Sequence, residues 1–300
     1  MKISQKTPML IAAWLSQAHA EIYQPTQPQL WSAPNTTSLL DTILSRGYLK
    51  VGTTGDYKPF SYSITNTTRF PSSNTTNSTL TPSSFNTSYI GADIDAAQAL
   101  SNALNLPHPV KFVPTIWANL TKDVNAGKFD IAMGGITITL ERAKTVFFST
   151  ATQRTGKVAC IRCSDASKFT SLDSLDREGV VVVVNPGGTN EKFDRANLSR
   201  ATIKVVDDNN AVFRAVLDGE GDAMITDSIE VELQMKLHPN KLCMVSGSDG
   251  LPFDFSQLGY LLPRDNPWKN FVDIFVGIQS GSGNWNTTLT RWMEFGWPTV

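Results

Sequence analysis

Downstream of residue 38, short apolar runs alternate with stretches whose apolar positions recur at helical spacing. That alternation predicts an α/β class built from strand–helix units on a mainly parallel sheet. Residues 49–53 predict a strand, and residues 92–106 a helix that puts Ile94, Ala97, Leu100 and Leu104 on one face. Residues 129–134 predict a further strand. Residues 180–184 are five consecutive valines, which only a central strand covered on both faces would carry. Residues 223–226 and 258–262 predict more strands, and residues 268–279 and 288–295 C-terminal helices. No internal repeat or coiled-coil pattern is present.

The ends and one interior segment follow different rules. Residues 1–20 carry Lys2 and Lys6, an apolar stretch from Met9 to Leu15 and the small-residue triplet Ala18-His19-Ala20, which predicts a secretory signal peptide cut after Ala20. The apolar stretch is too short to cross a bilayer. Eight Asn-x-Ser/Thr sequons, at Asn35, Asn66, Asn74, Asn77, Asn86, Asn119, Asn197 and Asn286, add the expectation of a secreted, extracellular glycoprotein. Four of them lie in residues 63–88, where 19 of 26 residues are Ser, Thr or Asn. Such a segment buries too little apolar surface to offset its ordering entropy and predicts an exposed, disordered insert.

Composition narrows the partners. With 26 Lys+Arg against 27 Asp+Glu, and 24 against 27 once the signal is removed, there is no basic surface for nucleic acid and none for a membrane. Three cysteines and scattered histidines offer no structural metal site. The motifs GxSxG, HExxH, GxxxxGK[ST] and GxGxxG are absent, and His108 and His238 each precede a proline in a turn context. Any chemistry falls to carboxylates, with no cofactor expected and a small-molecule carboxylate as partner. A homo-oligomer stays open.

Four strand ends carry polar groups. The valine run leads into Asn185-Pro186-Gly187-Gly188-Thr189-Asn190-Glu191, a glycine turn opening a helix. There the free N–H groups of Gly187, Gly188, Thr189 and Asn190 could receive a carboxylate; equally, Thr189 caps the helix and Glu191 only favours its first turn. The segment Gly134 to Arg142 offers Thr137 and Arg142, the latter either a planar carboxylate clamp or a solvated side chain. Asp56, Tyr57 and Phe60 follow the first strand, and Asp227 ends the strand 223–226.

The phrases TGDYKPFSY, FDIAMGGITITLER, NPGGTNEKFDRANL, MITDSIE and LPFDFSQLGYLLPRD, in this order, resemble the family 3 periplasmic solute-binding proteins, and within them the bacterial cyclohexadienyl dehydratases. The resemblance implies a two-lobed periplasmic-binding-protein-like (type II) fold closing over a ligand in the cleft. Lobe 1 would comprise residues 36–149 and 247–300, and lobe 2 residues 150–246. It implies an enzyme, a carbon–oxygen lyase aromatising prephenate or arogenate to phenylpyruvate or phenylalanine. Arg142 would grip a carboxylate, Trp117 would be the cleft aromatic, Glu191 the catalytic acid, and Asp227 the seat that binding relatives use for an α-amino group. The same fold also serves non-catalytic amino-acid or carboxylate binding proteins, or a ligand sensor that has kept the cleft.

For Glu191 to protonate a leaving hydroxyl near neutral pH, burial must outweigh the helix N-terminus, which favours its ionised form. Closure around Tyr57, Phe60 and Trp117 is expected to supply that burial. In an oxidising compartment the pattern of the relatives implies a disulfide between Cys163 and Cys243, with Cys160 left as the odd thiol. A glycan on Asn119, close to Trp117, would obstruct the cleft, so that site is expected to be sparsely used or to face outward.

Overall fold

The computed structural model describes residues 37–64 and 89–298. The signal peptide, five of the sequons (Asn35, Asn66, Asn74, Asn77 and Asn86) and almost all of the insert lie outside the described residues.

Two five-stranded sheets organise the chain. The first has the order Lys111–Pro114, Lys50–Thr53, Ile131–Ala132, Leu261–Leu262, Phe147–Phe148. The second has the order Thr202–Val205, Val181–Val184, Ala223–Asp227, Lys157–Arg162, Leu242–Val245. Every strand of the second sheet comes from one continuous stretch, and the first sheet is assembled from the chain on either side of it. An antiparallel ribbon of Gln153–Thr155 and Ser256–Leu258 carries the chain out and back.

The sheets are mixed, which corrects the mainly parallel expectation. Three strands at one side of each sheet run parallel, whereas Leu261–Leu262 and Lys157–Arg162 each run antiparallel to both neighbours. The reversal arises because these strands follow or precede the crossing ribbon rather than a helix. The valine strand is interior but second in order, and Ala223–Asp227 holds the middle position. The single strand expected over residues 258–262 is two, broken at Gly259 and Tyr260, one half in the ribbon and the other in the first sheet.

Packing follows the alternation. On Lys157–Arg162, Val158 and Cys160 join one core with Val212, Val216 and Val231, while Ala159 and Ile161 join the other face with Leu175, Val182 and Leu198. The largest core packs Leu100, Trp268, Val272 and Trp292 behind the first sheet, and it also takes Ile229 and Leu233 from the helix Ser228–Leu237 of the second lobe. Asp265 accepts N–H bonds from both Trp268 and Leu39, capping the helix Asn266–Gly281 and tying the first described helix to it. Cys163 and Cys243 form a disulfide, and Cys160 is a buried free thiol on the opposite face of the sheet.

Candidate active site

The parallel strands of both sheets end at the groove between the lobes, where open α/β sheets bind ligands. In the second lobe the valine strand runs through Asn185 to Gly188 into the helix Thr189–Asn197, and Thr189 and Asn190 face the groove. From the first lobe Tyr57, Trp117, Gly135 and Thr137 complete the wall. Gly135 has φ 71°, and a Cβ there would meet the Tyr57 ring at 2.6 Å, so only glycine lets this turn lie against the tyrosine.

Directly behind this wall is a lysine that the sequence did not single out. Lys157 is 2% exposed, and its Nζ donates to Asn190 Oδ1 at 2.6 Å, Asp227 Oδ1 at 2.8 Å and Thr189 Oγ1 at 3.3 Å. The second Asp227 oxygen accepts the Tyr57 hydroxyl at 2.7 Å. Both oxygens of Asp227 are therefore engaged within the protein, and the Lys157 ammonium sits in the seat that the resemblance gives to a ligand's amino group. Asn190 Nδ2 donates to Thr226 Oγ1 at 3.0 Å, and Thr226 Oγ1 donates to Glu230 Oε2 at 2.6 Å. Glu230 is 3% exposed, lines the cavity, and is pushed by burial up to about 8.

Glu191 behaves otherwise. Its Oε2 accepts the Gly187 N–H at 2.7 Å, and its Oε1 accepts Arg195 Nε at 2.9 Å. With those donors and a side chain still partly in water, its carboxyl is held below the usual value, Gly187 being the larger cause. This corrects the expectation that closure raises its pKa: the helix-start hydrogen bonds outweigh desolvation. It also means that the Gly187 amide is already used.

Of the other expected site residues, Tyr57, Trp117, Thr137, Gly188, Thr189, Asn190 and Asp227 line the cavity, and Asp56, Phe60, Gly187, Arg142 and Glu191 do not. Phe60 is 1% exposed and packs inward against Trp285 and Tyr57. Asp56 lies one hollow away, where both its carboxylate oxygens accept Trp117 Nε1 at 3.1 Å. The Arg142 guanidinium donates to the Thr137 carbonyl at 3.0 Å, so it braces the turn carrying Thr137. Asn185, Asn209, Thr226 and Glu230 join the wall without having been anticipated. Asn119 is half-buried next to Trp117, whereas Asn197 and Asn286 are exposed.

The lobes are closed on one another. Thr137 and Thr189 hydroxyls meet at 3.2 Å, Asn209 Nδ2 reaches the Asp56 carbonyl at 2.8 Å, and Lys192 pairs with Glu141 at 2.6 Å. The space left is about 20 Å³, far below the roughly 300 Å³ of a typical small-molecule site, so a ligand must enter an opened form. Among the described residues no group of His, Cys, Asp and Glu could hold a metal ion, and no helix is long and apolar enough to cross a membrane.

Two mixed sheets joined by a paired ribbon, with a polar cavity at their facing strand ends, define a two-lobed solute-binding architecture. The family model for bacterial extracellular solute-binding proteins, family 3, matches residues 74–295, and the chain belongs to that family. It is 44% identical over 263 residues to the cyclohexadienyl dehydratase of Pseudomonas aeruginosa, a match covering 88% of this chain and 89% of that protein. An L-cystine-binding protein of Escherichia coli is 25% identical over 228 residues, 76% of this chain and 75% of its own. Among solved structures, an ancestral amino acid-binding protein described as a precursor of cyclohexadienyl dehydratase has a TM-score of 0.72 and 32% identity, covering 86% of this chain and 100% of that one. An arginine-bound transporter substrate-binding protein of Streptococcus pneumoniae, at 22% identity and a TM-score of 0.72 over 88% of this chain and 100% of that one, shares the fold.

Proposed function

We propose that this protein is a dehydratase that aromatises prephenate or arogenate, giving phenylpyruvate or phenylalanine, and that Glu230 rather than Glu191 is its general acid. The observation that carries the reading is a buried carboxyl on the cavity wall, near the buried Lys157–Asp227 pair, whose burial favours the protonated form and pushes it up to about 8. The cyclohexadienyl dehydratase relative supports the reaction class.

The step is a single proton transfer coupled to two bond cleavages. Glu230 gives its proton to the ring hydroxyl, the C–O bond breaks and water leaves. The bond from the ring to its carboxylate then breaks, its electron pair completes the aromatic ring and carbon dioxide departs. The free amides and the hydroxyl at the start of the helix Thr189–Asn197 hold substrate carboxylates, Lys157 fixes Asn190 and Asp227 behind them, and closure over Tyr57 and Trp117 excludes water. We take residues 36–149 with 247–300 as lobe 1 and residues 150–246 as lobe 2, and place the protein in the secretory space, as its disulfide and its family's extracellular character favour.

The test is turnover of purified protein on prephenate and arogenate. Glu230→Gln should lower kcat by about 10² to 10⁴, the usual contribution of a general acid, while Glu191→Gln should stay near the parent. Because the protonated form is the active one, kcat should be flat at neutral pH and fall as pH rises through about 8. Loss in Glu191→Gln with retention in Glu230→Gln would reverse the assignment. Tight amino-acid binding with no turnover would make the protein a binder.

A further inference from the structure

A second and larger cavity lies apart from the cleft. It encloses about 470 Å³, within the roughly 300 to 1,000 Å³ of small-molecule sites, and none of its wall residues lines the substrate cavity. Lys58 and Pro298 form its wall on the first lobe. The helices Asn209–Leu217 and Ser228–Leu237, with His238 and Lys241 just beyond the second, form the wall on the other lobe. A hollow of about 10 Å³, lined by Asn209 and Glu230 among others, lies between the two spaces.

The larger cavity is cationic on one side and apolar on the other. Lys58 is 5% exposed, and its Nζ donates to the Pro298 carbonyl at 3.1 Å and lies over the Tyr62 ring at 4.4 Å. Among the described residues no carboxylate lies within ion-pair distance of it, although a buried cation ordinarily has one. Two of the three ammonium protons remain for a ligand. Burial brings the group down to about 8, so at neutral pH it is still chiefly charged, and Glu230 and Asp208 are the acids that favour that form. His238 is held below its ordinary value first by burial and then by the repulsion of Lys241 and Lys58. These basic groups press on one another, and an anion placed among them relieves the repulsion. Asp218, the only carboxylate among the lining residues, is taken by Arg214 at 3.1 Å. Phe213, Leu217 and Leu237 supply the apolar side.

We propose that this cavity is a second ligand site, for a small carboxylate carrying a single ring or a comparable apolar body, whose charge is shared between Lys58 of the first lobe and His238 and Lys241 of the second. A bare inorganic anion would leave the apolar side unfilled. Because the occupant touches both lobes, it binds the closed form better than an opened one and shifts the protein toward closure. The site stands whatever reaction the cleft performs.

Calorimetry with phenylacetate as the probe tests this. The parent should bind it with a Kd below about 1 mM, and should bind acetate and inorganic phosphate at least about tenfold more weakly because neither covers the apolar side. Lys58→Met keeps the bulk and removes the charge, and it should weaken phenylacetate about tenfold or more, the worth of a hydrogen bond to a charged group. Lys241→Met, at an exposed position, should cost about two- to fivefold, and it decides the matter if thermal melts show Lys58→Met to be unfolded. Thr189→Val, which removes a hydroxyl from the substrate cavity, should leave phenylacetate binding unchanged. In small-angle scattering, phenylacetate should reduce the radius of gyration of the ligand-free parent. Absence of binding, equal affinity for phosphate, or loss in Thr189→Val with retention in both lysine variants would overturn the site. Binding with no change in the radius of gyration would overturn its effect on closure.

Discussion

Asp194 is the least expected ionisable residue in the molecule. It is 0% exposed, neither carboxylate oxygen has a hydrogen-bond partner, and burial, aided by the repulsion of Glu191, pushes it up to about 8 against the attraction of Lys157 and Arg195. In the unfolded chain it ionises near 4. Between that value and about 8 the folded state holds a proton that the unfolded state has lost, so this carboxyl subtracts stability progressively as pH rises through that window. Asp194→Asn keeps the shape and removes the titration. It should raise the melting temperature at pH 8 and change it little at pH 4, and equal shifts at the two pH values in thermal melts would show the carboxyl to be paired. Nothing in the sequence singles out position 194 within the phrase NPGGTNEKFDRANL, since its burial depends on how that helix meets the sheet. Glu230 was overlooked for a related reason. The phrase MITDSIE drew attention to Asp227 at the strand end, but an acid in the first turn of the next helix reads as ordinary helix-dipole chemistry. Burial by a facing lobe turns it into an acid that keeps its proton. Lys157 left a fainter trace, a charge at the head of the apolar strand Lys157–Arg162, where an interior strand must find it a partner.

At the scale of elements, the turn between the valine strand and the helix Thr189–Asn197 does two jobs. Gly187 has φ 77°, and a Cβ on it would come within 2.7 Å of Ala118 Cβ in the opposite lobe. The positive φ costs an alanine about 1 to 2 kcal/mol whether the lobes are open or shut. The clash arises only on closure. Gly187→Ala should therefore lower stability by that modest amount and, in addition, raise KM several-fold by penalising the closed form. A fall in melting temperature with KM unchanged would mean that Ala118 simply moves aside. The strand–turn–helix here was legible because five valines followed by two glycines leave few alternatives. The strand at 258–262 was not, since a continuous apolar run gives no sign that Gly259 and Tyr260 divide it between ribbon and sheet. Mixed strand direction was equally invisible: it is set by where the chain crosses between lobes, and the ribbon partners Gln153–Thr155 and Ser256–Leu258 lie about a hundred residues apart.

Over the whole molecule, what pins the second lobe is a covalent link at its outer edge. Cys163 follows the end of the strand Lys157–Arg162, and Cys243 lies in the adjacent outermost strand, so the bond closes a loop of sequence separation 80 within this one lobe. Chain-entropy arithmetic for such a loop gives about 4 to 5 kcal/mol. Cys163 stands six residues along from Lys157, about 20 Å at strand rise, so the link is remote from the cavity and supports the lobe rather than the chemistry. Cys160 cannot substitute for either partner, because it points into the core on the other face of the sheet and burial pushes its thiol up, out of reach of exchange. Replacing Cys163 and Cys243 together with serine should thus lower the melting temperature by roughly 10 to 15 °C, at the 2 to 4 °C per kcal/mol typical of chains this size. KM and kcat measured well below that transition should stay near the parent's. The same pair of variants made with Cys160 also replaced should behave alike, since that thiol takes no part. Loss of turnover at low temperature in a folded double-serine protein would show instead that the outer edge of the sheet controls where Lys157 and Asp227 sit.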